Sequence, residues 1–217
     1  MRPLRLVLLP GFDGTGELFA PLQAEFNDWP TTVVAYADFA SLEEYLAHAE
    51  SLIPKNEPVC LVAESFSGPI ALHLMQRAQR DYRCAMLSTT FAKPPLGLVL
   101  SLAQKLRLAS FVVPAVSERI LRMFCLNGVR DLALLHDIVA VVRSISQQTI
   151  QSRLLALTQM DASGFLADIK QPIDVLTAAK DRILRQRFST SLITDIPDVR
   201  HHVIDGPHLL LQAQAPA

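Results

Sequence analysis

Ser65 lies in the run Val62-Ala63-Glu64-Ser65-Phe66-Ser67-Gly68-Pro69, between an apolar β-branched stretch and an apolar helical pattern. A serine on a sharp strand-to-helix turn sits in a strained backbone conformation with its hydroxyl lifted off the sheet, the geometry of a nucleophile in acyl transfer. Strand and helix then pass so close that the residues two before and two after it must be small. Ala63 and Ser67 meet that demand. A helix starting at Phe66 puts Pro69 in its first turn, where a missing N–H loses no intrahelical partner. The Phe66 N–H, at that helix N-terminus beside the serine, is then one candidate oxyanion donor. Two rival readings stay open: Ser65 as an ordinary helix cap, and Ser67 as the nucleophile. The second would put Pro69 at a close-packing position, so Ser65 is favoured.

A second candidate is the loop Pro10-Gly11-Phe12-Asp13-Gly14-Thr15-Gly16, after one apolar run and before a helical pattern. Open α/β sheets bind ligands at such positions, outside the carboxyl ends of strands. Gly11 and Gly16 have the outer spacing of a phosphate-binding loop, but Glu17-Leu18 stands where Lys and Ser/Thr are needed. A dinucleotide fingerprint fails as well, because Phe19 occupies the third glycine position. The remaining readings are a tight turn needing positive φ and a turn that exposes the Phe12 N–H as half of an oxyanion hole.

Short runs at 5–9, 31–36, 59–63, 83–87, 174–178 and 199–204 are rich in apolar and β-branched residues. Helical patterns cover 18–26, 42–53, 66–80 and 183–193. Continuous apolar strands alternating with helices predict an α/β fold: a mostly parallel open sheet of about six strands with helices on both faces. The alternation breaks over 91–165, where no strand pattern appears and 102–113, 118–124 and Leu132, Leu135, Val139 and Val142 follow helical spacing. This segment is predicted to be an inserted all-helical lid on a single domain whose core is 1–90 and 166–217. It holds eight lysines and arginines (Lys93, Lys105, Arg107, Arg119, Arg122, Arg130, Arg143, Arg153) against four carboxylates, so it is +4 in a chain of net charge −1.

The elbow around Ser65 resembles that of the α/β-hydrolase family, usually Gly-x-Ser-x-Gly, with Ala63 and Ser67 in place of the glycines. The family's partners follow in the order serine, acid, histidine, on loops after late strands. Asp181, in Ala178-Ala179-Lys180-Asp181-Arg182, follows the fifth strand candidate, and His208, in Asp205-Gly206-Pro207-His208, follows the sixth. The resemblance therefore implies Asp181 as acid and His208 as base. Asp181 as a helix cap is the competing reading. Asp174, Asp205, His201 and His202 lie in or directly at the ends of strand candidates and compete less well, while His48, His73 and His136 read as structural or solvated. The chain is similar to smaller members that begin at the family's third strand.

The expected chemistry is hydrolysis of a carboxylic ester through an acyl-enzyme on Ser65, with Phe12 and Phe66 N–H groups on the oxyanion and no cofactor. Thioester hydrolysis and acyl transfer to an alcohol are variants. The basic lid suggests either a solvated face or a landing site for an anionic partner; the resemblance implies acyl carrier protein or coenzyme A there, as with family members that act on carrier-bound methyl esters or thioesters. A non-catalytic binding module on the same fold is the reading from another class. Balanced charge and a pI near 6.6 argue against nucleic acid as partner. No His-Glu-x-x-His cluster is present, and Cys60, Cys84 and Cys125 lack the paired spacing of a zinc site, so no metal is expected and a reducing, cytoplasmic setting is. The apolar start reads as a core strand rather than a signal peptide. Residues 95–114 are cut by Lys105 and Arg107 and fall short of the roughly 18 uninterrupted apolar residues of a spanning helix.

Overall fold

A computed structural model of the chain describes residues 3–95, 118–127, 129 and 131–214. Six strands, β1 (Arg5–Leu9), β2 (Thr31–Val33), β3 (Pro58–Glu64), β4 (Asp81–Ser88), β5 (Ile173–Ala178) and β6 (Val199–Ile204), pair in the order β2-β1-β3-β4-β5-β6. Every pair is parallel. Val7 and Leu9 enter one core cluster while Leu6 and Leu8 enter another, so β1 is buried on both faces. That is the burial a parallel sheet covered by crossover helices requires.

The helices around the sheet are α1 (Ala20–Glu25), α2 (Leu42–Leu52) and α3 (Gly68–Arg77), with α7 (Thr190–Asp195) and α8 (Leu210–Ala213) after the fifth and sixth strands. Between β4 and β5 the described elements are all helical. They are α4 (Glu118–Leu121), running into a π turn over Arg122–Leu126, then α5 (Leu132–Ser144), α6 (Gln147–Leu157) and a short 3-10 turn (Ser163–Asp168). Asp131 and Ser146 cap α5 and α6 by accepting from Leu134 N at 3.0 Å and Thr149 N at 3.0 Å. Leu121, Leu126, Leu134, Leu135, Ile138 and Val141 make a small core of their own that closes over Leu18 and Leu209. The predicted helix over 102–113 lies outside the described residues. Among the described residues no helix is long and apolar enough to cross a membrane.

Three sequence boundaries need correction. β2 ends at Val33: the Val34 N–H makes the last bond to β1, on Leu8 O at 3.0 Å, and the Tyr36 N–H goes instead to Gly14 O at 2.7 Å, in the loop after β1. The predicted helix over 66–80 is a 3-10 turn (Ser65–Ser67) followed by α3, which stops where Ala78 turns left-handed at φ 52°. The predicted helix over 183–193 begins only at a 3-10 turn (Gln186–Ser189); before it, the Ile183 and Leu184 N–H groups bond the Asp181 side chain in a turn.

Candidate active site

Strand order reverses between β1 and β3, whose register pairs Leu9 with Ala63. The loop after β1 and the turn after β3 therefore emerge side by side, at the switch point where open α/β sheets form a crevice. Ser65 stands at that point with φ 48°, in the left-handed region that non-glycine residues rarely occupy. Thr90, just past β4, holds the turn by donating its hydroxyl to Ser65 O. Gly68 leaves room for it, since a Cβ there would stand 2.0 Å from Thr90 Oγ1.

Ser67 is turned away from the crevice and buried. Its hydroxyl donates to Pro10 O and sits 2.8 Å from Tyr36 Oη. With its one hydrogen on Pro10, Ser67 accepts from Tyr36, whose hydroxyl is pushed well above its ordinary pKa by burial. Ser67 is thus a tie between the elbow and the loop after β1, with its hydroxyl engaged on both sides. That loop turns through Gly14 (φ 67°) and Gly16 (φ 76°), with Gly14 N donating to Gly11 O at 3.1 Å. Phe12 and Phe66, the residues whose N–H groups are candidate oxyanion donors, meet ring to edge at 5.7 Å and 82° and line one cavity with Ser65.

The loops after β5 and β6 are laced by Ala179 N to Ile204 O at 2.8 Å and Lys180 N to Gly206 O at 3.0 Å. They bring Asp181 and His208 together. Asp181 Oδ2 lies 2.7 Å from His208 Nδ1, and His208 Nε2 lies 3.1 Å from Ser65 Oγ. The side chains of His208 and Asp181 are only 7% and 3% exposed. An ionised carboxylate can only accept, so Nδ1 carries the proton and the Nε2 lone pair faces the serine hydroxyl. Asp181 Oδ1 accepts from Ile183 N at 2.7 Å and Leu184 N at 2.8 Å, which fixes the carboxylate that orients the ring. Asp181 is therefore both a turn cap and the hydrogen-bond partner of His208. Of the rivals, His201 bonds Thr177 and His202 bonds Asp174 on β5; Asp174 also pairs with Arg200. His73 packs on Phe165, His48 bonds Ala35 O, and His136 is exposed.

Ser65 and His208 open onto a cavity of about 340 Å³ whose other walls are almost wholly apolar, among them Phe12, Phe91, Leu121, Ile138, Val142 and Ile183. The volume is in the range of small-molecule sites. Among the described residues no group of three or more His, Cys, Asp or Glu comes together to hold a metal ion.

No protein-family model matches the sequence, and no curated protein matches it. Solved structures do. MenH from S. aureus matches 100% of this chain and 90% of its own at a TM-score of 0.83 and 14% identity. The lipase-esterase related protein from Clostridium acetobutylicum ATCC 824 matches 99% and 91% at 0.80 and 14%. The enol-lactonase from Burkholderia xenovorans LB400 matches 100% and 88% at 0.78 and 17%. The chain has the α/β-hydrolase fold.

Within that α/β-hydrolase frame, two neighbours of the site, Thr90 and Arg153, escape sequence reasoning, and a third, Glu64, stands out in the sequence as an unusual residue before the serine but shows its burial only in the fold. Glu64, 2% exposed and directly before the serine, has its carboxyl pushed up to about 7 by burial; a hydrogen bond from Gln212 Nε2 at 2.9 Å opposes the rise. Thr90 reads as an ordinary residue beyond a strand. Arg153, on α6, reads as one of eight lid cations, yet it is 3% exposed and bound to backbone carbonyls of the loop after β1. Lys93 pairs with Asp161 at 2.6 Å, so two of those eight cations are engaged within the fold.

Proposed function

We propose that the chain is a serine hydrolase that cleaves carboxylic esters with an apolar acyl group. The observation that carries this reading is the unbroken hydrogen-bond chain from Ser65 through His208 to Asp181, ending at an apolar cavity. Ser65 Oγ attacks the ester carbonyl while His208 Nε2 takes its proton, and the Asp181 carboxylate stabilises the imidazolium. The Phe12 and Phe66 N–H groups bind the oxyanion. Collapse expels the alcohol, which takes the proton from Nε2 and leaves an acyl group on Ser65. Water then repeats the sequence with His208 as base and releases the acid.

Solved neighbours named as an esterase-related protein and an enol-lactonase support ester cleavage at the level of the fold. The near absence of polar groups from the cavity wall supports an apolar acyl group. Three free thiols support a reducing, cytoplasmic setting. The test is hydrolysis of p-nitrophenyl esters of graded chain length by wild type and Ser65→Ala. The wild type is expected to turn over and the variant to lose nearly all of the rate; an equal rate in both defeats the proposal. Labelling of Ser65 by a fluorophosphonate separates turnover chemistry from a binding module, which would not label.

A further inference from the structure

We infer that Arg153 is the positioning residue of the oxyanion loop, feeding its positive charge through two peptide groups into the Phe12 N–H; the inference rests on the serine-hydrolase reading above. Arg153 comes from α6, in the helical segment between β4 and β5, and reaches the loop after β1. Its Nη1 donates to Phe12 O at 2.8 Å and to Asp13 O, and its Nη2 donates to Tyr36 O at 3.5 Å. Among the described residues no carboxylate forms an ion pair with it. The Asp13 carboxylate is turned to Thr15 N at 3.0 Å and Thr15 Oγ1 at 2.9 Å, and Asp38 accepts from Thr149 Oγ1 at 2.6 Å. Gly14 admits the guanidinium, because a Cβ there would lie 2.5 Å from Nη2.

The hydrogen bonds run in one direction. The guanidinium donates to Asp13 O; the N–H of that same peptide, on Gly14, donates to Gly11 O; the N–H of the Gly11 peptide belongs to Phe12. Each carbonyl points toward the cation and each N–H points onward, so both dipoles add to the field that meets a developing oxyanion. Chained hydrogen bonds polarise one another, and a buried charge is weakly screened. A cation paired with a carboxylate would supply little of this. The sharing of Nη1 between Phe12 O and Asp13 O also fixes the loop to α6, so the helical segment sets where the Phe12 N–H points.

The experiment measures the second-order rate of fluorophosphonate labelling at Ser65 in wild type, Arg153→Lys and Arg153→Met, with kcat and KM on the best ester and melting curves for each. Deleting a whole oxyanion donor costs about 10²- to 10³-fold, so removing the charge that polarises one is expected to slow labelling by about tenfold. The Met variant should show that loss in kcat with KM little changed, and the Lys variant should lie between it and wild type. If Arg153→Met melts below the assay temperature, Arg153→Gln replaces it as the neutral variant. Equal labelling of wild type and the neutral variant overturns the inference, and so does equal slowing of the Lys and neutral variants, which marks a structural contact without a role for charge. Absence of label on wild-type Ser65 would instead strike the serine-hydrolase reading itself.

Discussion

Replacing Glu64 with glutamine should make the protein more stable at alkaline pH and leave it unchanged in acid. The Glu64 side chain is buried between the loop after β1 and α8, with Gln212 Nε2 on Oε2 and no partner for Oε1 among the described residues. Burial is the main cause that raises its pKa from 4.5 to about 7; Gln212 opposes it, Asp13 adds to it, and His208 opposes it. Between pH 4.5 and 7 the unfolded carboxyl is ionised while the folded one keeps its proton. The folded state then binds more protons, so stability falls as pH rises, and the loss is complete above the folded pKa. At about 1.4 kcal/mol per pH unit, the span from 4.5 to about 7 corresponds to about 3 kcal/mol. Glutamine keeps the shape, stays neutral and can still accept from Gln212. Melting curves for both proteins at about pH 5 and pH 8.5 isolate the effect, because every other titrating group is common to the two. At pH 5, half a unit above the unfolded pKa, wild type has already lost about 0.8 kcal/mol, so the variant should melt about 2–3 °C higher there and about 6–12 °C higher at pH 8.5, given about 2–4 °C per kcal/mol for a chain of this size. A difference that is the same at both pH values would refute the reasoning, since it would mean that the folded carboxyl titrates as the unfolded one does.

Asp181→Asn should lower kcat by about 10⁴-fold with the fold intact, because an amide no longer holds His208 in the tautomer that leaves Nε2 free; steady-state ester kinetics check it, and a loss under about tenfold would remove Asp181 from the proposed role. Ser67→Ala should cost about 1–3 kcal/mol, measured by denaturant unfolding, because the buried Tyr36 hydroxyl loses its acceptor. The same variant frees Pro10 O from its tie to the elbow, so kcat should fall as well; wild-type stability and rate together would show that the Tyr36–Ser67–Pro10 chain does not hold the loop.

The sheet was readable because inner strands such as β1 and β3 are buried on both faces, which leaves continuous apolar runs such as Leu6-Val7-Leu8-Leu9. Boundaries were less readable, since side chains decide them from outside the element. Nothing local in Ile183-Leu184 says that the helix will wait until Gln186 while their N–H groups bond Asp181. Ser65 was legible from the steric signature of its turn. Asp181 and His208 were legible through the family order of serine, acid and histidine, because the residues between them carry no spacing rule that would find them. Arg153 was not legible at all. It meets Phe12 O from 141 residues away, and a lone arginine in an amphipathic helix reads as a solvated face until the fold buries it.

The elbow without its two usual glycines exposes what that turn demands physically. Ala63 sits in the middle of the sheet, paired with Leu9 on one side and Leu87 on the other, and a methyl group fits there. Ser67 fills the other glycine position with a hydroxyl that has work to do on Pro10 O. The tightest approach has moved one residue on, to Gly68, where Thr90 Oγ1 occupies the space a Cβ would need. Thr90 needs that space because it donates to Ser65 O. A trans peptide points its C=O and N–H in opposite directions, so a Ser65 carbonyl held toward β4 turns the Phe66 N–H the other way. The glycine at 68 and the threonine at 90 thereby aim one of the two proposed oxyanion donors, as Gly14 and Arg153 aim the other. At the elbow the glycine makes room for the side chain that grips the carbonyl of the same peptide; in the loop Arg153 grips Asp13 O, and the Gly14 N–H of that peptide in turn grips Gly11 O, the carbonyl of the peptide that carries the Phe12 N–H. A search for glycines two residues either side of a serine finds only one way of meeting this requirement, which is a peptide clamped by its oxygen.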